Sequence, residues 1–282
     1  ITVPTAPLTA ITNTSLLTCQ SNRFIDNSTN AYTLTPAGTL SAQAFSPFAP
    51  ISAYSTSSVG GSAYFNGTSD YLTASPGSTL NVGSGAFTLE CWVYPLTYNS
   101  GNSRMFLLGP LGGSGYLTFY INGTGNVVYG PSGGSTITTT STVPLNTWSH
   151  IAIVRNAGSS TVYINGVAGG TASDTTAFTN ATNLYLGAVP SAAQYYYNGY
   201  ISNFRITIGT AVYTSAFTPP TTPVSAVSNT QFLISSTNAG IIDNTAKNDI
   251  TTYGSAAIST TQSKFGGSSM VFNGTTDYLV IP

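Results

Sequence analysis

The sequence predicts an all-β fold, a jelly-roll sandwich of two antiparallel sheets. Three observations carry that prediction: short runs alternating apolar and polar residues, Asn-Gly pairs beside them, and no ten-residue stretch with a helical period. In AFTLECWVYP, Phe87, Leu89, Cys91 and Val93 share one face, and Thr88, Glu90, Trp92 and Tyr94 share the other. Successive side chains of a strand point to opposite sides, so this run turns one face to a core. The same reading fits YLTFYIN (116–122), HIAIVRN (150–156), TVYINGV (161–167), NLYLGAV (183–189) and YISNFRIT (200–207). Asn-Gly pairs at Asn66, Asn122, Asn165, Asn198 and Asn273 abut such runs. Each tolerates the positive φ of a type I′ turn and reads as a hairpin. The number of runs suits two sheets better than one closed barrel.

Composition narrows the functional classes. Among 282 residues there are six Lys and Arg and seven Asp and Glu, 5% of the chain, where about 25% is ordinary. With 41% apolar residues, 18 Tyr and 13 Phe, the chain has ample surface to bury and does not read as disordered. A net charge of -1 supplies neither the basic field that nucleic acid requires nor a polybasic membrane anchor. No run of ~18 apolar residues spans a bilayer, so membrane insertion is not expected. The opening residues ITVPTAPLTAITN carry no Met and no signal pattern, which leaves processing or a longer parent chain as the two expectations. Cys19 and Cys91 are the two cysteines. They are read either as buried thiols or as one bridge, and too few for a disulfide scaffold.

Self-similarity sets the organisation. PTAPLTAITNT (4–14) aligns without gaps to PTTPVSAVSNT (220–230), matching Pro4 to Pro220, Pro7 to Pro223, Ala10 to Ala226 and Asn13 to Asn229. Ile25-Asp26-Asn27 recurs as Ile242-Asp243-Asn244, and GGSAYFNGTSDYL recurs as GGSSMVFNGTTDYL near the end. Residues 1–10 therefore read as a Pro-containing linker, 11–218 as one jelly-roll module, 219–228 as a second linker and 229–282 as the opening strands of a second copy. A tandem array or homo-oligomer is the expected assembly.

The segments LLTCQSNRFIDNST, YFNGTSDYLT, FTLECWVYP, NTWSHIAIVRNAGSSTVYINGV and NGYISNFRITIGTAVYTSAFTPPTTP together resemble the laminin G-like, concanavalin A-like superfamily. The form is that found in tandem in structural, tail and decoration proteins of marine tailed phages. Bacterial surface adhesins are similar. The resemblance implies two antiparallel sheets packed face to face, with glycan or protein ligands at loops or on a sheet face. It implies a virion-surface or extracellular setting, with host-surface or matrix glycans and other virion or fibre subunits as partners. The fold alone carries lectins, hydrolases and spacers, so residues must choose among them.

Hydrolysis of a glycosidic bond needs two carboxylates flanking it. Glu90 has Thr88 and Trp92 as same-face neighbours, and no other carboxylate lies between Asp70 and Asp174. Glu90 is read as an acid on a half-exposed strand face, and no catalytic residue is assigned. His150, the single histidine, excludes a multi-histidine metal site and reads as a structural imidazole beside an aromatic ring. No cofactor is required. Calcium is the one ion weighed, because Asp26 in DNST and Asp70 in TSDYL sit in oxygen-rich loops; capping of their own turns is the competing reading. Ligand contacts are expected from Tyr94, Tyr98 and Arg104 in VYPLTYNSGNSR and from Tyr195, Tyr196, Tyr197 and Tyr200 in AAQYYYNGYI. Consecutive tyrosines cannot all point inward, and an exposed ring suits sugar stacking. Cover of a sandwich edge or a subunit contact is the other reading of these rings. The expected function is non-enzymatic adhesion or spacing in a phage fibre or capsid decoration, with a surface adhesin and a carbohydrate-active enzyme as alternatives.

Overall fold

The computed structural model describes residues 62–99, 102–110, 114–189 and 195–234. Short stretches at 30, 35–38, 40–43, 251–253, 257–259, 269–271, 275 and 278–280 are also described. Two antiparallel sheets form the body, as the alternation requires. One sheet is built from β1 (Thr35–Ala37), β4 (Tyr71–Ala74), β13 (Leu184–Leu186), β6 (Ser103–Leu108), β7 (Leu117–Ile121), β8 (Asn126–Tyr129) and β9 (Ile137–Thr142), in that order. The other runs β12 (Val167–Ser173), β11 (Ser159–Ile164), β10 (Ser149–Asn156), β5 (Phe87–Pro95), β14 (Asn198–Ile208), β3 (Ser62–Asn66) and β2 (Ser41–Gln43), with β15 (Thr230–Ile234) also on β14. Among the described residues the one helical element is a single 3-10 turn at Gly77–Leu80, and no helix is long and apolar enough to cross a membrane.

The inner faces meet in one core. Phe87, Leu89, Cys91 and Val93 of β5 are wholly buried, as their alternation predicts. Phe106, Phe119 and Phe204, from both sheets, stack at the centre with centroids 5.3–6.4 Å apart. Cys91 is a free thiol in this core. Burial, with the Glu90 charge next to it, pushes its pKa far up, so it behaves as a small apolar residue. Cys19 lies outside the described residues.

The Asn-Gly pairs divide by context. Asn165 and Gly166 form the tight hairpin between β11 and β12, with φ of 50° and 78°. Asn122 closes the β7–β8 hairpin differently, its side-chain oxygen accepting from the N–H groups of Thr124 and Asn126. Asn66 carries the chain from β3 in one sheet to β4 in the other, and Asn198 opens β14. Neither makes a hairpin, because their flanking runs belong to different sheets or to one continuous strand. Asn273 lies outside the described residues.

Two pairings connect to the sequence repeat. β1 pairs β4 and β2 pairs β3. Downstream, β16 (Thr251–Tyr253) pairs β19 (Tyr278–Val280) and β17 (Ala257–Ser259) pairs β18 (Ser269–Val271). β15, from the segment assigned by repetition to the second copy, pairs with β14 and buries Phe232 against Phe204 at 6.0 Å.

Candidate functional site

The outer face of the eight-stranded sheet carries a buried polar cluster and a row of aromatic rings. Trp92 and Tyr94 alternate outward from the core positions of β5. Register places Tyr200 of β14 opposite Tyr94, and Tyr64 of β3 opposite Tyr200. Trp148 precedes β10 on the other side of β5. The rings of Tyr64, Tyr200, Tyr94 and Trp148 follow one another across the strands with centroids 5.1, 6.0 and 5.6 Å apart. All four are half-buried and tilted against each other, presenting a mixture of faces and edges.

Below this row the sheet holds Glu90, wholly buried. Nε of Arg205 donates to Oε1 at 2.8 Å, and its Nη2 to the same oxygen. Oε2 accepts from His150 Nε2 at 3.1 Å and from the Tyr213 hydroxyl at 2.8 Å. Burial alone pushes the Glu90 carboxyl upward. The hydrogen bond from His150, the charges of Arg205 and His150 and the Tyr213 hydroxyl outweigh it and hold the group below the ordinary carboxylate range. The expectation of a half-exposed acid is therefore corrected: the segment after β14 crosses the sheet and covers it. Tyr213 and Phe217 stack at 3.6 Å over His150 and Tyr163. Phe217 N–H donates to the Gly166 carbonyl at 3.0 Å. A side chain at Gly166 would strike the Phe217 carbonyl, so the turn glycine also seats this segment. His150 packs on Trp92 at 5.3 Å, beside an aromatic ring as the sequence predicts.

The outer face of the seven-stranded sheet carries Arg104. A bulge between Arg104 and Phe106 on β6 turns Met105 and Phe106 inward and Arg104 outward, an alternation the sequence does not show. Its guanidinium lies 4.4 Å from the Tyr120 ring centre and 5.1 Å from that of Tyr195. Nη1 donates to Thr118 Oγ1 at 2.8 Å.

The segment Tyr195–Tyr200 is divided among three environments. Tyr195 caps Arg104, Tyr196 is half-buried with its carbonyl held by Asn99, and Tyr200 joins the outer row of the other sheet. Tyr197 is 0% exposed within the hydrophobic core, edge-on to Phe65 at 6.1 Å. The expectation that it meets a ligand is corrected, since its N–H donates to the Gly187 carbonyl and the chain there runs between the sheets. Tyr98 packs over Gly125, and its hydroxyl donates to the Val143 carbonyl, apart from both groups. Tyr64 and Trp148 were not singled out in the sequence. Their outward positions beside buried neighbours are the signal, but only the strand order brings them to Tyr94.

The two calcium candidates separate. Asp70 is wholly buried, with Oδ2 accepting from the Asn66 N–H and Oδ1 from the Ser69 hydroxyl, both at 3.1 Å. This is the turn-capping arrangement, and it departs from the rim position a cation ligand would take. Asp26 lies outside the described residues. Among the described residues no group of three His, Cys, Asp or Glu side chains converges as a metal site.

Three solved structures are among those similar to this chain. A Bacteroides ovatus protein assigned to carbohydrate binding is 13% identical, with 94% of this chain and 60% of that one covered and a TM-score of 0.47. Domain 4 of AbnA, an extracellular arabinanase from Geobacillus stearothermophilus in complex with arabinotriose, is 17% identical over 68% and 95% of the chains, with a TM-score of 0.46. Mouse laminin α1 domains LG4-5 are 14% identical over 60% and 48%, with a TM-score of 0.42. The chain thus spans less than two thirds of the first and third of these proteins. No curated protein matches the sequence. The family model of the concanavalin A-like lectin/glucanases superfamily, in its Laminin_G_3 form, matches residues 66–221. That span runs from the β3–β4 crossing through the covering segment, more than half of the chain, and the protein belongs to this superfamily.

Proposed function

We propose that this domain is a non-enzymatic glycan-binding module of a repeat protein on a phage virion, in a fibre or capsid decoration, and that the row Tyr64, Tyr200, Tyr94 and Trp148 holds the sugar. The observation that carries the reading is four half-buried rings, on three neighbouring strands and just before a fourth, with successive centroids 5.1–6.0 Å apart. Such rings offer apolar faces to sugar C–H groups and hydroxyl or indole groups to sugar oxygens. A ligand lying across the strands meets them in succession. Binding rather than cleavage is supported by Glu90, whose two oxygens are already engaged by Arg205, His150 and Tyr213 beneath Tyr213 and Phe217. Placement on a virion is supported by the likeness of the opening and closing segments to phage tail and decoration proteins.

A glycan array followed by calorimetry tests the reading. The expected result is retention of at least one neutral or acidic oligosaccharide, weakened about tenfold or more (~1.4 kcal/mol) in Tyr94→Ala/Tyr200→Ala. A wild-type protein that retains no glycan, or a double variant that binds equally well, would overturn it.

A further inference from the structure

Three arginines lie among the described residues, and two have carboxylate partners. Arg205 is paired with Glu90. Arg155 lies 3.5 Å from Asp174 and donates to the carbonyls of Gly83, Gly85 and Thr176. Arg104 is equally removed from water, at 5% exposure, yet no described carboxylate stands within ion-pair distance of it. Nη1 is used by Thr118, and Nε has no acceptor. The neighbouring Tyr120 and Tyr195 rings receive the positive charge on their faces without supplying a counter-ion. Burial lowers its proton affinity, partly opposed by Tyr120, Tyr195 and Tyr116.

The edge that carries the unpaired Nε has a specific chemistry. The Nε and Nη2 N–H groups of a guanidinium are parallel donors spaced to grip two oxygens of one oxyanion. The surroundings hold that edge in place. The β6 bulge aims Arg104 outward, its backbone N–H donates to the Tyr195 carbonyl at 3.3 Å, and Thr118 fixes Nη1 while donating to the Phe106 carbonyl at 2.6 Å. A buried cation without its counter-ion is costly, and such departures from self-consistent packing gather where a ligand completes the set.

We infer that Arg104, flanked by Tyr120 and Tyr195 and steadied by Thr118, is a second binding site, selective for an oxyanion borne by a sugar: the carboxylate of a uronic acid or a sulfate ester. The flanking phenol rings match the sugar body and the guanidinium edge matches its acid group. The sugar part of this assignment rests on the proposed function; the anion part stands on Arg104 itself. The site lies on the opposite sheet from the aromatic row, so the two can be tested apart.

The experiment is calorimetric titration of the full chain with a galacturonate hexamer, a chondroitin sulfate hexasaccharide, its unsulfated chondroitin counterpart and neutral xylohexaose. It is repeated with Arg104→Met, Arg104→Lys and the Tyr94→Ala/Tyr200→Ala protein. The expected result is acid binding about tenfold or more tighter than neutral binding, weakened by added salt. Arg104→Met should abolish the preference with Tm lowered by no more than a few degrees, and Arg104→Lys should weaken it because a point charge cannot make the parallel pair. Tighter binding of chondroitin sulfate than of unsulfated chondroitin, which carries the same uronate, would identify the sulfate ester as the oxyanion, and equal binding of the two would identify the carboxylate. Equal affinity for acidic and neutral ligands, or an acid preference that survives Arg104→Met, would overturn the inference. Should Arg104→Met fail to fold, Arg104→Lys decides: weaker acid binding with neutral binding unchanged supports the site, and unchanged acid affinity overturns it. Acid preference retained in the Tyr94→Ala/Tyr200→Ala protein supports an independent site even where neutral binding has failed, while its loss there would move the anion to the aromatic row.

Discussion

Arg205 and Arg104 sit on the outer faces of the two sheets, nearly equally buried at 4% and 5% exposure, and they differ in what surrounds them. Arg205 meets Glu90, the Ser225 carbonyl and a roof of Tyr213 and Phe217. Arg104 meets Thr118 and two ring faces. Burial alone therefore does not distinguish a cation that holds the fold from one reserved for a ligand. The set of acceptors does. In a chain with so few charges, each ionised group must be matched within the fold or be matched by something outside it.

The largest effect expected from this contrast comes from exchanging both arginines for methionine. Arg205→Met strips Glu90 of its main cation in the interior, and breaking a buried pair costs about 3–5 kcal/mol. Arg104→Met strands no buried charge and forgoes one hydrogen bond to Thr118, so it should cost about 1 kcal/mol. Urea unfolding of the two variants measures both. Comparable losses would erase the distinction and make Arg104 a structural residue.

Next in size is the acid dependence. Glu90 and Asp174 are both held below the ordinary carboxylate range. For Asp174, burial acts upward and is outweighed by Tyr129, Ser160, the Thr176 N–H and Arg155. A depressed folded-state pKa gives stability that is complete above the unfolded value of roughly 4 and is lost as pH falls through the lower folded value. Scanning calorimetry should therefore find Tm nearly level down to about pH 5 and falling steeply below it. Glu90→Gln should be less stable at neutral pH and show a shallower acid slope. An unaltered slope in that variant would mean that Glu90 is not ionised in the folded protein.

Much of the body was legible from alternation, because an apolar face two residues in period has one way to meet a core. β5, β7, β10, β11 and β14 fall on runs that the sequence displays. β6 did not read as a strand: its bulge puts Met105 and Phe106 both inward, and local pattern cannot announce a bulge. The cluster around Glu90 was hidden for another reason. Arg205 and Tyr213 lie far along the chain, and strand order together with the covering segment brings them to Glu90. Consecutive tyrosines showed that the rings must diverge, but which ring enters the core depends on the bond between Tyr197 and Gly187. Phe232 of β15, in the segment that repetition assigns to a second copy, is buried against Phe204, a contact that the repeat does not announce.

A smaller effect separates the aromatic row from the Phe106, Phe119 and Phe204 stack. Trp148→Ala removes a half-buried ring at the end of the row, whereas Phe119→Ala opens the core. Large core aromatics cost about 3–5 kcal/mol when truncated. The row, already half in water, should lose about 1–2 kcal/mol. Thermal denaturation of the two proteins ranks them. A Trp148→Ala loss equal to that of Phe119→Ala would assign the row to structural packing, the competing reading of these rings.

The smallest effect is expected at Asp70, a buried carboxylate engaged by its own turn. The Asn66 side-chain oxygen accepts from the N–H groups of Thr68, Ser69 and Asp70 at 2.9–3.2 Å, and Asp70 answers by accepting from the Asn66 N–H and the Ser69 hydroxyl. The loop thus closes on itself. Calcium takes six to eight oxygen ligands in an open, carboxylate-rich shell, and an acid already spent on its own turn is a poor first ligand. Asp70→Asn should cost about 1 kcal/mol through one weakened acceptor, and Tm should respond neither to added calcium nor to a chelator. A calcium-dependent rise in Tm that disappears in Asp70→Asn would return Asp70 to the role of metal ligand. A rise that persists in Asp70→Asn would place the ion elsewhere, with Asp26→Asn as the variant to measure against it.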